Sequence, residues 1–373
     1  MKSLIMPSLQ IGGIETPTPI VQGGMGVGIS LAGLASAVAN QGGIGVISSV
    51  GLGLLHPDAS VSFEEANNNG LRTEIRRARA MTDGVLGVNI MVALADFDEQ
   101  LKTAFEEEID VVFLGAGLPV KMPTQISLTQ LRSSNTKVAV IVSSARAAKL
   151  IFSVWSKKYK HVPDAVVVEG PKAGGHLGFA MEQIGNPDYA LENILPPVLD
   201  VVAGYEAEFG KTIPVIAAGG IYTGADVHRF LKIGAAGVQM GTRFVGTEEC
   251  DAADAFKQQY IDCTEDDLII IKSPVGLPGR AINNDFLRDV KRGLRKPFEC
   301  TWKCLKTCKL AESQYCVAQA LANAREGFFE GGFAFAGANA HLVKKIVSVR
   351  EVFESLAEEF RNAVLNEPEL LLV

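Results

Sequence analysis

His176 stands behind two glycines in the run Glu169-Gly-Pro-Lys-Ala-Gly174-Gly175-His176-Leu-Gly178, directly after the apolar segment Ala165–Gly170. An imidazole with an ordinary pKa near 6.5 can give or take a proton at neutral pH, and small neighbours leave it accessible to a substrate. The alternative is a structural histidine that caps a loop. The other histidines are His56, His161, His228 and His341, of which His161 and His228 fall in or beside surface helices and read as structural. A second group, Ile216-Ala-Ala-Gly219-Gly220-Ile221 followed by Gln239-Met240-Gly241-Thr242-Arg243, offers bare backbone N–H groups and a hydroxyl. Such donors suit a phosphate, and two loops in this order favour a phosphate-bearing cofactor over a ligand-free turn. A third group pairs Gln22-Gly23-Gly24-Met25-Gly26 with Gly87-Val-Asn89-Ile-Met91. The Asn89 amide both donates and accepts, which fits the edge of a planar heterocycle.

Two lookalikes carry no chemistry. Gly210-Lys211-Thr212 mimics the end of a phosphate-binding P-loop, but Tyr205 occupies the position of the required first glycine. No serine sits in a G-x-S-x-G elbow, so a hydrolase nucleophile lacks its signature. The cysteines form Cys300-x3-Cys304-x3-Cys308-x7-Cys316, with Cys250 and Cys263 apart. Helical spacing would put the first three sulfurs on one face, either as a zinc or iron–sulfur site or as small apolar packing. The spacing matches no common zinc or ferredoxin pattern, which favours packing and no metal.

These residues need a scaffold that brings strand ends together. Short Val/Ile/Ala-rich runs occur at Pro19–Gly23, Gly45–Ser48, Gly87–Met91, Asp110–Gly115, Val138–Ser143, Ala165–Gly170, Pro214–Gly219 and Gly237–Thr242. Continuous rather than alternating apolarity is the mark of parallel strands covered on both faces. Helical patterns separate them at Leu31–Asn40, Phe63–Met81, Phe97–Glu108, Lys149–Tyr159, Leu191–Phe209 and Ala225–Ile233, with a weaker one at Thr124–Arg132. Eight such units predict an α/β fold, a (β/α)8 TIM barrel, with a doubly wound open sheet as the alternative. The barrel is expected over 1–246. A smaller, mainly helical lid or insert without clear β runs is expected over 247–330, and a return to the barrel over 331–373, ending on the amphipathic stretch Val347–Val364.

Composition narrows the partners. With 35 Lys+Arg against 42 Asp+Glu, the net charge is −7, which disfavours a nucleic-acid or anionic-membrane face. No apolar run reaches membrane-spanning length, and the first ten residues do not read as a secretory signal. Six cysteines and no export signal point to a reducing cytoplasm. The 38 glycines, about a tenth of the chain, cluster where strands would end. A homodimer is the expected oligomer from base rates alone.

Taken together, Pro19-Ile-Val-Gln-Gly-Gly-Met25, Gly42-Gly-Ile-Gly45, Gly87-Val-Asn89, Ala173-Gly-Gly-His176, Ala217-Ala-Gly-Gly-Ile221 and Gln239-Met-Gly-Thr-Arg243 resemble the nitronate monooxygenase (2-nitropropane dioxygenase) family. That family includes the similar flavin-dependent enoyl-acyl-carrier-protein reductases. The resemblance covers roughly residues 8–247, with weaker likeness at Gly276–Ile282 and Gly331–Ala340. It implies a (β/α)8 barrel with a non-covalent FMN at its mouth and a lid over the substrate. By motif position, Gln22, Gly23, Gly24, Met25, Asn89, Glu169, Gly174, Gly175, Gly219, Gly220 and Gln239–Thr242 would surround the flavin. Gly241 and Thr242 would contact its phosphate, and His176 takes the catalytic position. The first implied activity is oxidation of a nitronate with O2 to a carbonyl compound and nitrite, with His176 as acid or base. The alternative is reduction of an enoyl thioester, or a related enoyl or quinone substrate, with NAD(P)H as reductant. Glu169, where nitronate monooxygenases usually carry glutamine, resembles the enoyl reductases, as do Gly87–Met91 and Gly115-Ala-Gly-x-Pro119. Other readings are a flavin-binding subunit without turnover and a flavin-free phosphosugar barrel.

Overall fold

The computed structural model describes residues 4–58, 60–122, 125–295, 300, 302–306, 308 and 313–367. Eight parallel strands form one sheet: β1 Ile20–Gln22, β2 Gly45–Ser48, β3 Leu86–Met91, β4 Val111–Gly115, β5 Lys137–Val142, β6 Ala165–Glu169, β7 Val215–Ala218 and β8 Gly237–Met240. Neighbours pair in sequence order, and β8 returns to pair with β1 through Val238–Ile20 and Gln239–Val21. Residues beside β2 close the ring, because Gln22 N donates to Ile44 O at 2.9 Å and Ile44 N to Ile20 O at 2.9 Å. This is the TIM-barrel arrangement that the eight apolar runs predict.

The strands alternate between two cores. Val111, Phe113, Ala139, Ala165, Val167 and Ile216 point into the barrel, where Leu9 and Ile11 of an N-terminal hairpin join them as a floor. Val112, Leu114, Val138, Val140, Val166 and Val168 point outward against the helices. A period of two on a strand buried on both faces yields this split. The surrounding helices are α1 Ala32–Asn40, α2 Phe63–Met81, α3 Phe97–Glu106, α4 Leu128–Ser133, α5 Ala145–Tyr159, α6 Leu191–Phe209, α7 Gly224–Ile233 and α8 Val349–Leu365. Polar side chains mark their starts: Ser127 with Gln130, Thr223 with Asp226 and Ser348 with Glu351 form capping boxes. Helix α5 begins four residues before its apolar pattern, because Ser144 caps it by accepting from Ala147 N at 3.2 Å.

Between β8 and α8 lies a long insert. It holds the helices Asp254–Asp262, Asp285–Lys291 and Val317–Arg325. It also holds an antiparallel ribbon, Leu268–Lys272 with Pro278–Ile282, which corrects the expectation of no β runs. The run Leu-Ile-Ile-Ile is strand-forming by its β-branching, and the Ser273–Leu277 turn lets it fold back. A second correction concerns the cysteines. Among the described residues of 300–308 none is helical, because that backbone bonds to the loop after β3 instead of to itself. Ala95 N donates to Cys304 O at 3.0 Å and Lys306 N to Ala93 O at 3.0 Å. No helix among the described residues is long and apolar enough to cross a membrane.

Candidate active site

The C-terminal ends of the barrel strands open into a cavity of about 300 Å3, roofed by the insert. Fourteen of the fifteen predicted site residues line it, from Gly23, Gly24, Met25 and Asn89 through Glu169, Gly174, Gly175 and His176 to Gly219, Gly220 and Gln239–Thr242. Gln22 is the exception. Its side chain is fully buried in the wall, accepting from Val46 N at 2.9 Å and donating to Gly23 O. It ties β1 to β2 and presents nothing to the cavity, because its strand position points the amide sideways into the ring closure.

One end of the cavity is built from backbone. Gly219 holds φ at +93°, and a Cβ there would come within 2.7 Å of Gly170 O. A Cβ on Gly174 would stand 2.6 Å from Gly337 N. Neither position has room for a side chain, so peptide groups themselves face the space. Around them Asn339 donates to Gly220 O at 2.9 Å, Gly337 N donates to Thr242 Oγ1 at 3.2 Å, and Ala338 N donates to Lys172 O at 3.0 Å. The Lys172 stem lies against Gly220, and Lys172 is the one lysine or arginine among the described lining residues. Bare amides, a hydroxyl and a lysine make a cradle that fits a phosphate.

The other end is built from side chains. His176 does not simply hang from a loop. Gly175 and His176 form a short strand that pairs antiparallel with Arg280 and Gly279 of the insert, and Leu177 N donates to Pro278 O at 2.8 Å. Its Nε2 lies 2.6 Å from Ser273 Oγ, and the Phe335 ring packs edge-on at 5.0 Å between centroids. Arg280 secures the loop before it, donating to Pro171 O at 2.8 Å and to Ala173 O at 3.3 Å. Burial lowers the His176 pKa to about 4, so the imidazole is neutral at physiological pH, with one donor and one acceptor nitrogen. Burial raises the Glu169 carboxyl to about 7, so near neutrality it holds its proton about half the time.

The other histidines are held elsewhere. His161 stacks on Trp155, His56 meets the buried Glu74 at 3.2 Å, His228 meets Glu367 at 3.2 Å, and His341 contacts Ala338 O. Sequence reading missed Ser273, Phe335, Lys172, Arg280 and Asn339. Lys172 lies inside the histidine motif and was within reach of that reading, whereas Ser273 and Phe335 gain meaning only when the insert folds back. Among the described residues no three His, Cys, Asp or Glu side chains are gathered tightly enough to hold one metal ion.

The nitronate monooxygenase family model matches residues 8–359. A curated relative from Mycobacterium tuberculosis, named (3aS,4S,5R,7aS)-5-hydroxy-7a-methyl-1-oxo-octahydro-1H-indene-4-carboxyl-CoA dehydrogenase, is 31% identical over 78% of this chain and 69% of its own length. A probable nitronate monooxygenase of Staphylococcus aureus is 27% identical over 74% of this chain and 78% of its own. The solved structure of FabK from Thermotoga maritima superposes with a TM-score of 0.70 at 28% identity, covering 93% of this chain and 94% of that one. An oxidoreductase site at the mouth of a TIM barrel, matched along nearly its whole length by one family model, places this chain in the nitronate monooxygenase family.

Proposed function

We propose that the protein is an FMN-dependent oxidoreductase whose substrate reacts as an uncharged carbonyl compound, an enoyl thioester or a related acyl thioester, with NAD(P)H as reductant. The observation that carries this reading is the distribution of charge in the cavity. Lys172, the cation of the lining, sits at the phosphate end against Gly220. The other ionisable groups of the described lining, His176, Glu169, Tyr260 and Cys304, supply no cation near neutrality, His176 because burial lowers it to about 4. A nitronate anion entering beside His176 would shed its hydration without gaining a cation, which costs several kcal/mol. A thioester carries no such charge.

The residues fit a flavin mononucleotide. Gly219, Gly220, Gly241, Thr242 and Lys172 would hold its phosphate, and Asn89, Gln239 and the Gly23–Gly24 backbone would face the ring system. Bound FMN supplies hydride acceptance from the nucleotide and hydride delivery to the substrate. The protein's own part is to position and polarise. His176 donates a hydrogen bond from its neutral ring to the thioester carbonyl oxygen, drawing charge from the double bond. Ser273 holds the ring at the angle that this requires, and the insert keeps water from the cavity. The carboxyl-CoA dehydrogenase name of the 31% relative and the likeness to FabK support a thioester.

Nitronate oxidation is the second reading, favoured by the Staphylococcus aureus relative's name. Anaerobic stopped-flow on the FMN-loaded protein separates the two. Rapid bleaching by NADH or NADPH, followed by reoxidation with a short-chain enoyl-CoA, is the expected result. Bleaching by a nitronate and by neither nucleotide overturns the thioester assignment. A protein that binds no FMN overturns the flavin reading itself.

A further inference from the structure

The small sheet of the insert has an unpaired edge. It runs from the short His176 strand through Pro278–Ile282 to Leu268–Lys272, which has a neighbouring strand on one side only. The register fixes which backbone groups face outward. Ser273 N donates to Leu277 O at one end of the ribbon, and Asn283 N donates to Asp267 O at the other. Bonded and non-bonded pairs alternate in an antiparallel ladder. Ile269 and Ile271 therefore bond inward to Ala281 and Gly279, while Leu268, Ile270 and Lys272 turn their peptide groups away from the ribbon. Their opposite numbers agree, since Arg280 O accepts from Ala336 N at 3.1 Å and Ile282 N donates to Ala334 O at 3.0 Å on the far side. The Leu268 N–H is taken by Glu265 O. Among the described residues, no backbone group meets the Leu268 carbonyl or the outward N–H and C=O of Ile270 and Lys272.

Folded chains usually blunt such an edge with charge, proline or brevity. This one reads Leu-Ile-Ile-Ile-Lys, with no proline and its only charge at the last position. Ile269 and Ile271 rest on the cluster of Phe286 and Phe333, and Ile270 on that of Leu177 and Phe179, yet Leu268–Ile271 stay part-exposed and Lys272 is exposed. None of these five residues lines the cavity. The edge is complementary to itself. Acidic Glu265, Asp266 and Asp267 precede the strand, and Lys272 ends it. Laid antiparallel to a copy of itself, the strand can set Ile270 opposite Ile270 and Leu268 opposite Lys272. The two Ile270 residues then exchange N–H and C=O bonds, and each Lys272 N–H reaches the Leu268 carbonyl, whose own N–H is already used. The same register brings each Lys272 ammonium beside the acidic turn of the other copy. A slip of two residues either way keeps fewer of these pairs.

We propose that Leu268–Lys272 is a dimerisation edge, which pairs antiparallel with the same strand of a second copy of this chain about a two-fold axis at Ile270. The ribbon sheet then runs unbroken through both copies, the self-complementary contact that a two-fold dimer requires. Ser273 follows the edge directly and meets His176 Nε2 at 2.6 Å, so the pairing braces the turn that holds the imidazole in each copy. The assignment depends on neither flavin nor substrate.

The test is sedimentation velocity of the whole protein over a range of concentrations, with a thiol reductant present. The native chain should sediment as a dimer. Ile270→Lys, which sets like charges face to face at the axis, should weaken that dimer about tenfold or more. Lys272→Glu, at an exposed position, should weaken it about 2- to 5-fold. Adding Asp266→Lys to that variant should restore the dimer, a rescue that a damaged fold would not show. Ile270→Cys supplies a direct readout, because Cα atoms of a bonded antiparallel pair lie about 5.5 Å apart, within disulfide reach. Mild oxidation should link this variant into a dimer under conditions that leave the native chain unlinked. A native chain that is monomeric at every concentration overturns the proposal. So does a dimer that Ile270→Lys leaves intact, or one that oxidation of Ile270→Cys does not trap.

Discussion

In the barrel wall, Val111, Val112, Phe113 and Leu114 are all fully buried, and the ends of β1, β6, β7 and β8 pass into glycines. In the insert, the strand Leu268–Lys272 stays partly exposed, and its turn delivers the Ser273 hydroxyl to His176. The two regions thus contribute different chemistry to one cavity. The barrel offers backbone at its strand ends, held rigid by a core on either side of each strand, where the proposed cofactor would lie. Besides the backbone of Gly337 and Ala338, the insert offers side chains such as Ser273 and Phe335 on a thinner scaffold, at the face where the proposed substrate would lie. His176 lies at the junction, carried by a barrel loop but paired with the insert.

The largest expected effect tests that junction. His176→Ala should lower substrate turnover by about 10²- to 10⁴-fold while flavin content stays unchanged. If flavin is lost together with turnover, the division between the regions fails.

Glu169 and His176 give opposite pH signatures. The Glu169 carboxyl titrates near 7 in the fold against 4.5 ordinarily, so between those values the native state holds more protons than the unfolded chain. Its contribution to stability therefore falls as pH rises through that window, by about 3 kcal/mol in all. His176, lowered from 6.5 to about 4, makes stability rise with pH between those values. The two oppose each other where the windows overlap. Glu169→Gln should remove the first, so that it gains about 3 kcal/mol over the native chain between pH 4.5 and 7. Urea unfolding of flavin-free protein across that range measures it, and parallel curves for the two chains would refute the assignment.

Gly219→Ala strikes the barrel's side of the comparison. A side chain at φ +93°, with its Cβ 2.7 Å from Gly170 O, should cost about 1–3 kcal/mol. FMN affinity should drop at least tenfold in fluorescence titration, and the reactivity of any flavin that remains should be unaltered. Ser273→Ala, on the insert's side, is the smallest. Loss of one hydrogen bond, about 0.5–1.5 kcal/mol, should lower turnover about 3- to 10-fold with flavin affinity unchanged, and Ser273→Thr should restore most of it. A Ser273 variant that loses flavin instead would place the hydroxyl in the cofactor's support.

The eight apolar runs and their glycine ends were legible because each strand is local, buried on both faces, and stops where the backbone must turn. The cavity-lining positions within 165–176 and 216–242 were legible for the same reason, with donor, glycine and histidine close together in the chain. Gln22 was misplaced because a glutamine beside two glycines looks alike whether it meets a ligand or closes a ring, and only the position of Val46 decides. The cysteine run read as a helix because its spacing permits one, yet its backbone found partners at Ala93 and Ala95. The contact between His176 and Ser273 spans 97 residues. By itself the sequence determined the barrel and the set of strand-end residues that line its mouth, His176 among them, since local burial and spacing specify these. The neutrality of that histidine and the raised pKa of Glu169 were decided by the tertiary structure, because desolvation exists only once distant segments share one space.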